Sequence, residues 1–280
     1  MDRSVAATIT LKPGRDKPVR NRHPWVFSGS IASIQGSEPQ PGQLVDILDT
    51  KQEWLARAYY NPHSQIRARI LTWQESAAID RRFWRTRIET ALALRRALAL
   101  EPDTNAYRLI NAESDGLPGL VVDKYDDYLV VQCLTAGIDR RKEELLAILI
   151  ELLNPTGVIE RSDVSVRKKE GLRKESGLRA GNPAPTPLNV NENGLIMAAD
   201  LYRGHKSGLY LDQRENRSFI GQPRFTAGRQ VLNVFAYTGG FGLYAARGGA
   251  SQITNVEQSA DFLDIAKTNL TKNGFERPED

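Results

Sequence analysis

Cysteine is almost absent from this chain: Cys133 is the only one in 280 residues. A single thiol excludes an internal disulfide framework and fits a reducing cytoplasm. Histidine is scarce as well, at three, and the histidines and Cys133 all lie far apart in sequence, so no metal-ligand spacing exists. No apolar run approaches the ~18 residues needed to span a bilayer, which argues against a membrane partner. The N-terminus lacks the charged-then-apolar order of a secretory leader, and no internal repeat is visible. What remains is an expected cytoplasmic protein with an apolar fraction of 40%, enough for real cores. Its length suggests about two domains at roughly 100–200 residues each.

Excess charge is modest too, a formal +4, but it is unevenly placed. Residues 1–30 carry Arg3, Lys12, Arg15, Lys17, Arg20 and Arg22 against Asp2 and Asp16. The stretch Arg161 to Arg179 holds seven basic residues (Arg161, Arg167, Lys168, Lys169, Arg173, Lys174, Arg179) against three acids. Such clusters bind polyphosphate by releasing its counterions. A single cluster is as readily a solvated face; two in one chain point towards nucleic acid.

Three blocks separate along the chain. Short β-type runs at Ala7–Leu11, Trp25–Phe27, Leu44–Leu48, Trp54–Tyr60 and Ile66–Leu71 are punctuated by Pro41-Gly42 and Asn61-Pro62, the pattern of a small barrel over residues 1–73. From Ser76 to Leu100 the apolar spacing becomes helical, with the pairs Arg81-Arg82 and Arg95-Arg96 expected outside. Strands are expected at Tyr107–Ala112, Gly119–Lys124 and Tyr128–Leu134, a helix over Asp139–Leu153 and a strand at Val158–Arg161. Gly171–Pro187, rich in Gly, Pro, Lys and Arg, reads as a mobile linker closing a central α+β block, 74–187. A hairpin around Asn191–Gly194 then opens a third block, 188–280.

That third block holds the most informative stretch. Val231–Val234 reads as a short buried strand, Thr238-Gly239-Gly240-Phe241-Gly242 as a tight turn, and the alanines that follow as a helix. Glycines in such a turn let the backbone approach a ligand, and the helix N-terminus offers free N–H groups. Glu257 ends the next strand 17 positions beyond Gly240, close to the spacing of about 20 at which an acid meets ribose hydroxyls. A dinucleotide enzyme would place a third glycine where Tyr244 or Ala245 stands. Its absence favours a sulfonium cofactor without a pyrophosphate, although any βαβ turn can carry two glycines.

The segment Gly208-Leu209-Tyr210-Leu211-Asp212-Gln213-Arg214-Glu215-Asn216-Arg217, followed by Asn233–Ala246, resembles the RlmI-type large-subunit rRNA methyltransferases. So do Arg57–Arg69, similar to the end of that family's N-terminal PUA domain, and Arg108–Leu120, similar to the opening of its central domain. The resemblance runs in family order over essentially the whole chain. It implies a multidomain α/β protein: a PUA-like β-barrel, a central α+β domain and a Rossmann-like class I methyltransferase domain. The implied activity is methylation of a cytosine carbon 5 in 23S rRNA, with S-adenosyl-L-methionine as cofactor. The PUA match implies RNA contact by Lys12, Arg15, Arg22 and His23, with Trp25 beside them; Arg167, Lys168 and Lys169 extend that expectation to the second basic cluster. Similarity also places Gln213 and Arg217 near the cofactor, with Tyr237, Thr238, Gly239, Gly240, Phe241 and Glu257. Arg217 is equally readable as a structural ion pair, and Phe235 and Tyr237 as core aromatics.

The chain departs from the family pattern after its second methyltransferase helix. The Asp-Pro-Pro type motif and the cysteine motif that supplies the nucleophile are not among its residues. The nucleophile motif is expected beyond Asp280, so no catalytic residue is assigned and the methyltransferase domain is expected to be an incomplete copy. Carbon 5 of cytosine needs a thiolate to add at carbon 6 first. Cys133, inside the apolar run Leu129–Leu134, reads as inert packing. Two other readings stay open: a non-catalytic RNA-binding module, and a methyltransferase acting on another base atom, such as a guanine nitrogen. The partner expected is 23S rRNA or another structured RNA, and a homodimer is left open.

Overall fold

Val5–Leu11, Leu44–Leu48 and Trp54–Tyr60 are largely apolar, a single polar side chain interrupting each of the last two, and most of their residues are buried. They join Trp25–Phe27, Ile31–Gly36 and Ile66–Thr72 in a six-stranded sheet wrapped around one core. Its spatial order is Trp25–Phe27, Ile66–Thr72, Trp54–Tyr60, Leu44–Leu48, Val5–Leu11, Ile31–Gly36. Ile9, Leu11, Val45, Ile47 and Ala56 fill that core with almost no exposure. The computed structural model describes residues 5–98, 100 and 102–275. Asp2 and Arg3 of the N-terminal cluster, and Ala99 of the expected helix, lie outside the described residues. So does Asp280, the residue beyond which the nucleophile motif is expected.

A second sheet runs Glu175–Gly181, Gly157–Ser162, Tyr128–Cys133, Leu120–Tyr125, Ala106–Asn111. Helix Arg81–Ala97 starts where the Asp80 carboxylate accepts from the Phe83 N–H, and it buries Trp84, Ile88, Ala91 and Leu92. Helix Lys142–Leu153 packs against it and stops at Asn154 in a left-handed conformation. The expected single helix over Asp139–Leu153 is instead a turn, Ala136–Asp139, followed by this helix.

Two compact units result: residues 1–98, 109–123 and 129–182 in one, and 99–108, 124–128 and 183–280 in the other. The second contains a hairpin, Leu188–Glu192 with Leu195–Ala199, and a parallel pair, Gln230–Val234 with Gln252–Val256. Helices Arg214–Ile220, Gly240–Arg247 and Ala260–Lys272 belong to it. Among the described residues no helix is long and apolar enough to cross a membrane.

Two expectations need correction. Gly171–Pro187 is not simply a linker, because Glu175–Gly181 pairs antiparallel with Gly157–Ser162, from Gly157↔Gly181 to Ser162↔Glu175. Gly181 ends that edge strand at φ +71°, where a Cβ would meet the Thr156 carbonyl oxygen at 2.2 Å. Strand Gln230–Val234 is not buried either, since Leu232 is 65% and Val234 48% exposed. Parallel strands are ordinarily covered on both faces and flanked by neighbours; among the described residues Gln230–Val234 and Gln252–Val256 form a two-stranded sheet.

Candidate functional site

The glycine turn forms where strand Gln230–Val234 gives way to helix Gly240–Arg247. Phe235 (φ +57°) and Tyr237 (φ +50°) both adopt left-handed backbone, a conformation that costs non-glycine residues of order 1–3 kcal/mol each. Several contacts hold Tyr237 there. Its N–H donates to Glu257 Oε2 at 2.8 Å, and its hydroxyl donates to the Gly208 carbonyl at 2.7 Å. The His205 N–H donates to that same hydroxyl. The ring stacks on His205, centroids 4.8 Å apart, and meets Phe262 edge-on at 4.6 Å. Phe235 has no comparable restraint and is 90% exposed, so of the two aromatics only Tyr237 lines the turn.

Glu257 is held as a carboxylate. Tyr237 N–H donates to one oxygen, and Gln258 and Ser259 N–H groups donate to the other. These backbone donors, Tyr237 foremost, keep its pKa below the ordinary value. Oε2, which accepts only from Tyr237, retains a lone pair for a further donor, which is what a ribose hydroxyl needs.

The glycines are required first by packing. A Cβ at Gly239 (φ +77°) would lie 2.6 Å from Ala266 Cβ. One at Gly240 would press on Arg217 Cδ at 3.0 Å, and one at Gly242 on Asn255 Oδ1 at 2.7 Å. Gly242 thus provides the close helix–strand approach for which a third glycine was sought at Tyr244 or Ala245. The first turn of helix Gly240–Arg247 presents its N–H groups beyond the strand end, as helix starts do. Thr238 is buried, its carbonyl accepting from Asn269 Nδ2 at 2.9 Å, while Phe241 is half-buried.

Arg217 is an ion-pair residue. Nε and Nη2 donate to the two Glu192 oxygens at 2.8 and 2.6 Å, and Nη1 donates to the Tyr210 carbonyl. Arg217 is 4% exposed and Glu192 0%, so the guanidinium supports Gly240 from within. Gln213 lies on the turn Leu211–Gln213, and its side-chain oxygen accepts from Asn216. His205, Phe262, Glu192 and Asn269 were missed from sequence. Asn269 had a signal: it shares the apolar face of its helix with Ala266 and Leu270 at positions i, i+3 and i+4, and it is fully buried.

The basic residues belong to the first unit. Lys12, Arg15, Arg22 and His23 are all exposed. The Arg22 guanidinium lies 5.2 Å from the Trp73 ring, and His23 meets Trp25 edge-on. Trp25 is fixed by its indole N–H, which donates to Glu113 at 2.8 Å. The second cluster is smaller than the sequence suggests. Arg167 is 0% exposed, donating to the Cys133 carbonyl, Asp139 and Glu175. It therefore does not reach an RNA phosphate, and its expected role is withdrawn. Arg179 pairs with Glu160 and Glu175, and Arg161 with Asp163. Lys168, Lys169, Arg173 and Lys174 remain exposed. Glu170 anchors that segment to the first sheet: Asn61, Ser64 and Arg69 all donate to its buried carboxylate.

Cys133 is 1% exposed, and burial pushes its thiol up to about 12. It is neither accessible nor ionised near neutrality.

Family models match at residues 9–73, a PUA-like domain, and 168–278, an S-adenosylmethionine-dependent methyltransferase. Ribosomal RNA large subunit methyltransferase I of Photobacterium profundum is 46% identical over 271 residues, and that of Shewanella amazonensis 47% over 271. Each alignment covers 97% of this chain and 68% of the relative. A structure described as a SAM-dependent methyltransferase from Streptococcus mutans superposes with TM-score 0.82 at 21% identity, over 97% of this chain and 68% of that one. A methyltransferase complexed with SAH matches with the same TM-score, identity and coverage. The architecture is therefore a PUA-like domain with a class I methyltransferase fold, and the cofactor is S-adenosyl-L-methionine.

Proposed function

This chain belongs to the ribosomal RNA large subunit methyltransferase I family, and on that premise we propose that it serves methylation of cytosine carbon 5 in 23S rRNA. The observation that carries the cofactor part is the Glu257 carboxylate tied to the Tyr237 N–H beside the left-handed Gly239 turn. When bound, S-adenosyl-L-methionine supplies an electrophilic methyl group. Glu257 accepts from its ribose hydroxyls, Tyr237, Thr238, Gly239, Gly240 and Phe241 form the cradle, and Gln213 borders it. Arg217 acts from beneath as a positioning residue for Gly240. Lys12, Arg15, Arg22, His23, Lys168 and Lys169 contact RNA phosphates, and cytoplasmic 23S rRNA is the partner. The division into residues 1–73, 74–187 and 188–280 belongs to the same proposal.

Cytosine chemistry needs a thiolate that adds to carbon 6 and so activates carbon 5. Cys133 does not offer one. We assign no catalytic residue between Met1 and Asp280, and take these 280 residues alone to bind RNA but not to complete transfer to cytosine. The same inert thiol favours a second reading, methylation of a base nitrogen, which needs no cysteine. The test is incubation of the chain with 23S rRNA and radiolabelled S-adenosyl-L-methionine, alongside RNA binding at rising salt. Salt-sensitive binding without label is expected. Label at cytosine carbon 5 would show that these residues do supply the nucleophile, label on a base nitrogen would select the second reading, and salt-insensitive binding would remove the phosphate contacts.

A further inference from the structure

Helix Arg81–Ala97 is rich in arginine, and its arginines divide into two sets. Arg81 and Arg85 pair with Glu151, Arg85 also with Glu89, and Arg95 holds Asp115 through two bonds of 2.7 Å. Among the described residues no carboxylate pairs with Arg82 or Arg87. Both line one groove of about 630 Å³, together with Thr72, Gln74, Phe83 and Thr86.

Arg87 is fixed there without being neutralised. Its Nη2 donates to the Leu71 carbonyl at 2.7 Å, and its guanidinium lies 4.6 Å from the Phe83 ring centroid. Gly116 makes room for it, since a Cβ there would sit 2.0 Å from Nη1. Burial lowers its pKa, and no carboxylate acts against that. A half-buried cation with no counter-charge is costly unless an anion arrives. The groove's own acids are engaged: Asp115 by Arg95, and Asp80 as the helix cap. The hydroxyl of Thr72 accepts from the Gln74 N–H and keeps its own proton to donate. A rigid guanidinium fork, a second free guanidinium and a hydroxyl donor suit the tetrahedral oxygens of a phosphate. Trp73, over which Arg22 lies, stands in the chain between the groove residues Thr72 and Gln74.

We infer that Arg82 and Arg87 form a phosphate site that carries an RNA backbone from the Arg22–Trp73 corner onto helix Arg81–Ala97. This rests on the RNA-binding reading above. The test uses a 20-nucleotide RNA hairpin and the full chain, with Arg82→Ala, Arg87→Gln and, as control, Arg96→Ala, an exposed arginine outside the groove. Arg82 is exposed and unpaired, so its replacement leaves folding intact; thermal unfolding checks Arg87→Gln. Each groove variant is expected to bind about 3–10-fold more weakly, with the log–log salt slope falling by about 0.7–0.9. Arg96→Ala is expected to match wild type. Unchanged affinity in both groove variants, while wild type binds with salt sensitivity, would overturn the groove and leave the RNA reading standing. No hairpin binding by wild type would overturn the RNA reading itself. An Arg96 effect as large as that of Arg82 would reduce the groove to general charge. Inorganic pyrophosphate binding that needs Arg82, beside hairpin binding that ignores it, would assign a small anion and overturn the RNA assignment.

Discussion

Replacing Arg217 by Met removes one half of a fully enclosed ion pair. Glu192, at 0% exposure, would keep its charge and lose both guanidinium hydrogen bonds, of 2.8 and 2.6 Å. Stranding a buried carboxylate in this way costs about 3–5 kcal/mol. The lost Nη1 bond to the Tyr210 carbonyl adds roughly 1 kcal/mol. The sum, about 4–6 kcal/mol, reaches the lower end of a typical domain's stability, ~5–15 kcal/mol. The double variant Arg217→Met with Glu192→Met replaces the pair by apolar groups, and such swaps are often neutral or stabilising; it should lie within about 2 kcal/mol of wild type. All four tryptophans fall in the first unit. Urea unfolding followed by tryptophan fluorescence therefore reports that unit and should be unchanged, while hydrogen exchange at residues 188–272 reports the second. Adding S-adenosylhomocysteine separates the two roles of Arg217. As a positioning residue it allows the double variant to regain ligand binding with stability; as a direct ligand it would not. A single variant that costs under about 1 kcal/mol, or a double variant no more stable than the single, would refute the reasoning.

Two further outcomes follow from the turn. Gly239→Ala adds a Cβ 2.6 Å from Ala266 at φ +77°, so overpacking of about 1–3 kcal/mol should add to the left-handed penalty. Gly228→Ala, at φ +68° with nothing within 4 Å, should show the backbone cost alone, and equal losses in thermal unfolding would deny the close contact. Glu257 has a depressed pKa, so its contribution is present above the unfolded carboxylate value of ~4.3 and disappears as pH falls through the lower folded value. Acid titration monitored at the Tyr237 amide should show this transition in wild type and not in Glu257→Gln; the same transition in both would assign it to another group.

How much of this was legible varies with physical cause. Trp25–Phe27, Leu44–Leu48 and Trp54–Tyr60 were read to the residue because they are short β-type runs punctuated by Pro-Gly and Asn-Pro turns. Ile31–Gly36 escaped: five of its six residues are exposed, so burial imposes no pattern on it. Glu175–Gly181 escaped for a related reason. It is an edge strand held by backbone bonds to one neighbour, with glycine and arginine where a central strand would carry branched apolar residues. Arg167 misled because a charge run reads as surface, whereas its guanidinium meets carbonyl and carboxylate oxygens brought together only by the fold. The turn and Glu257 were visible in spacing. The aromatic support from His205 and Phe262 was not, since those residues lie 32 and 25 positions from Tyr237.

The most direct measurement is a titration of the 280-residue chain with S-adenosylhomocysteine, followed by amide chemical shifts at millimolar ligand. Shifts are predicted at Tyr237 to Gly242 and at Gln258, whose N–H meets Glu257, and they should weaken in Glu257→Ala. Shifts centred elsewhere, or a response at the turn that ignores Glu257, would contradict the assignment of this cradle.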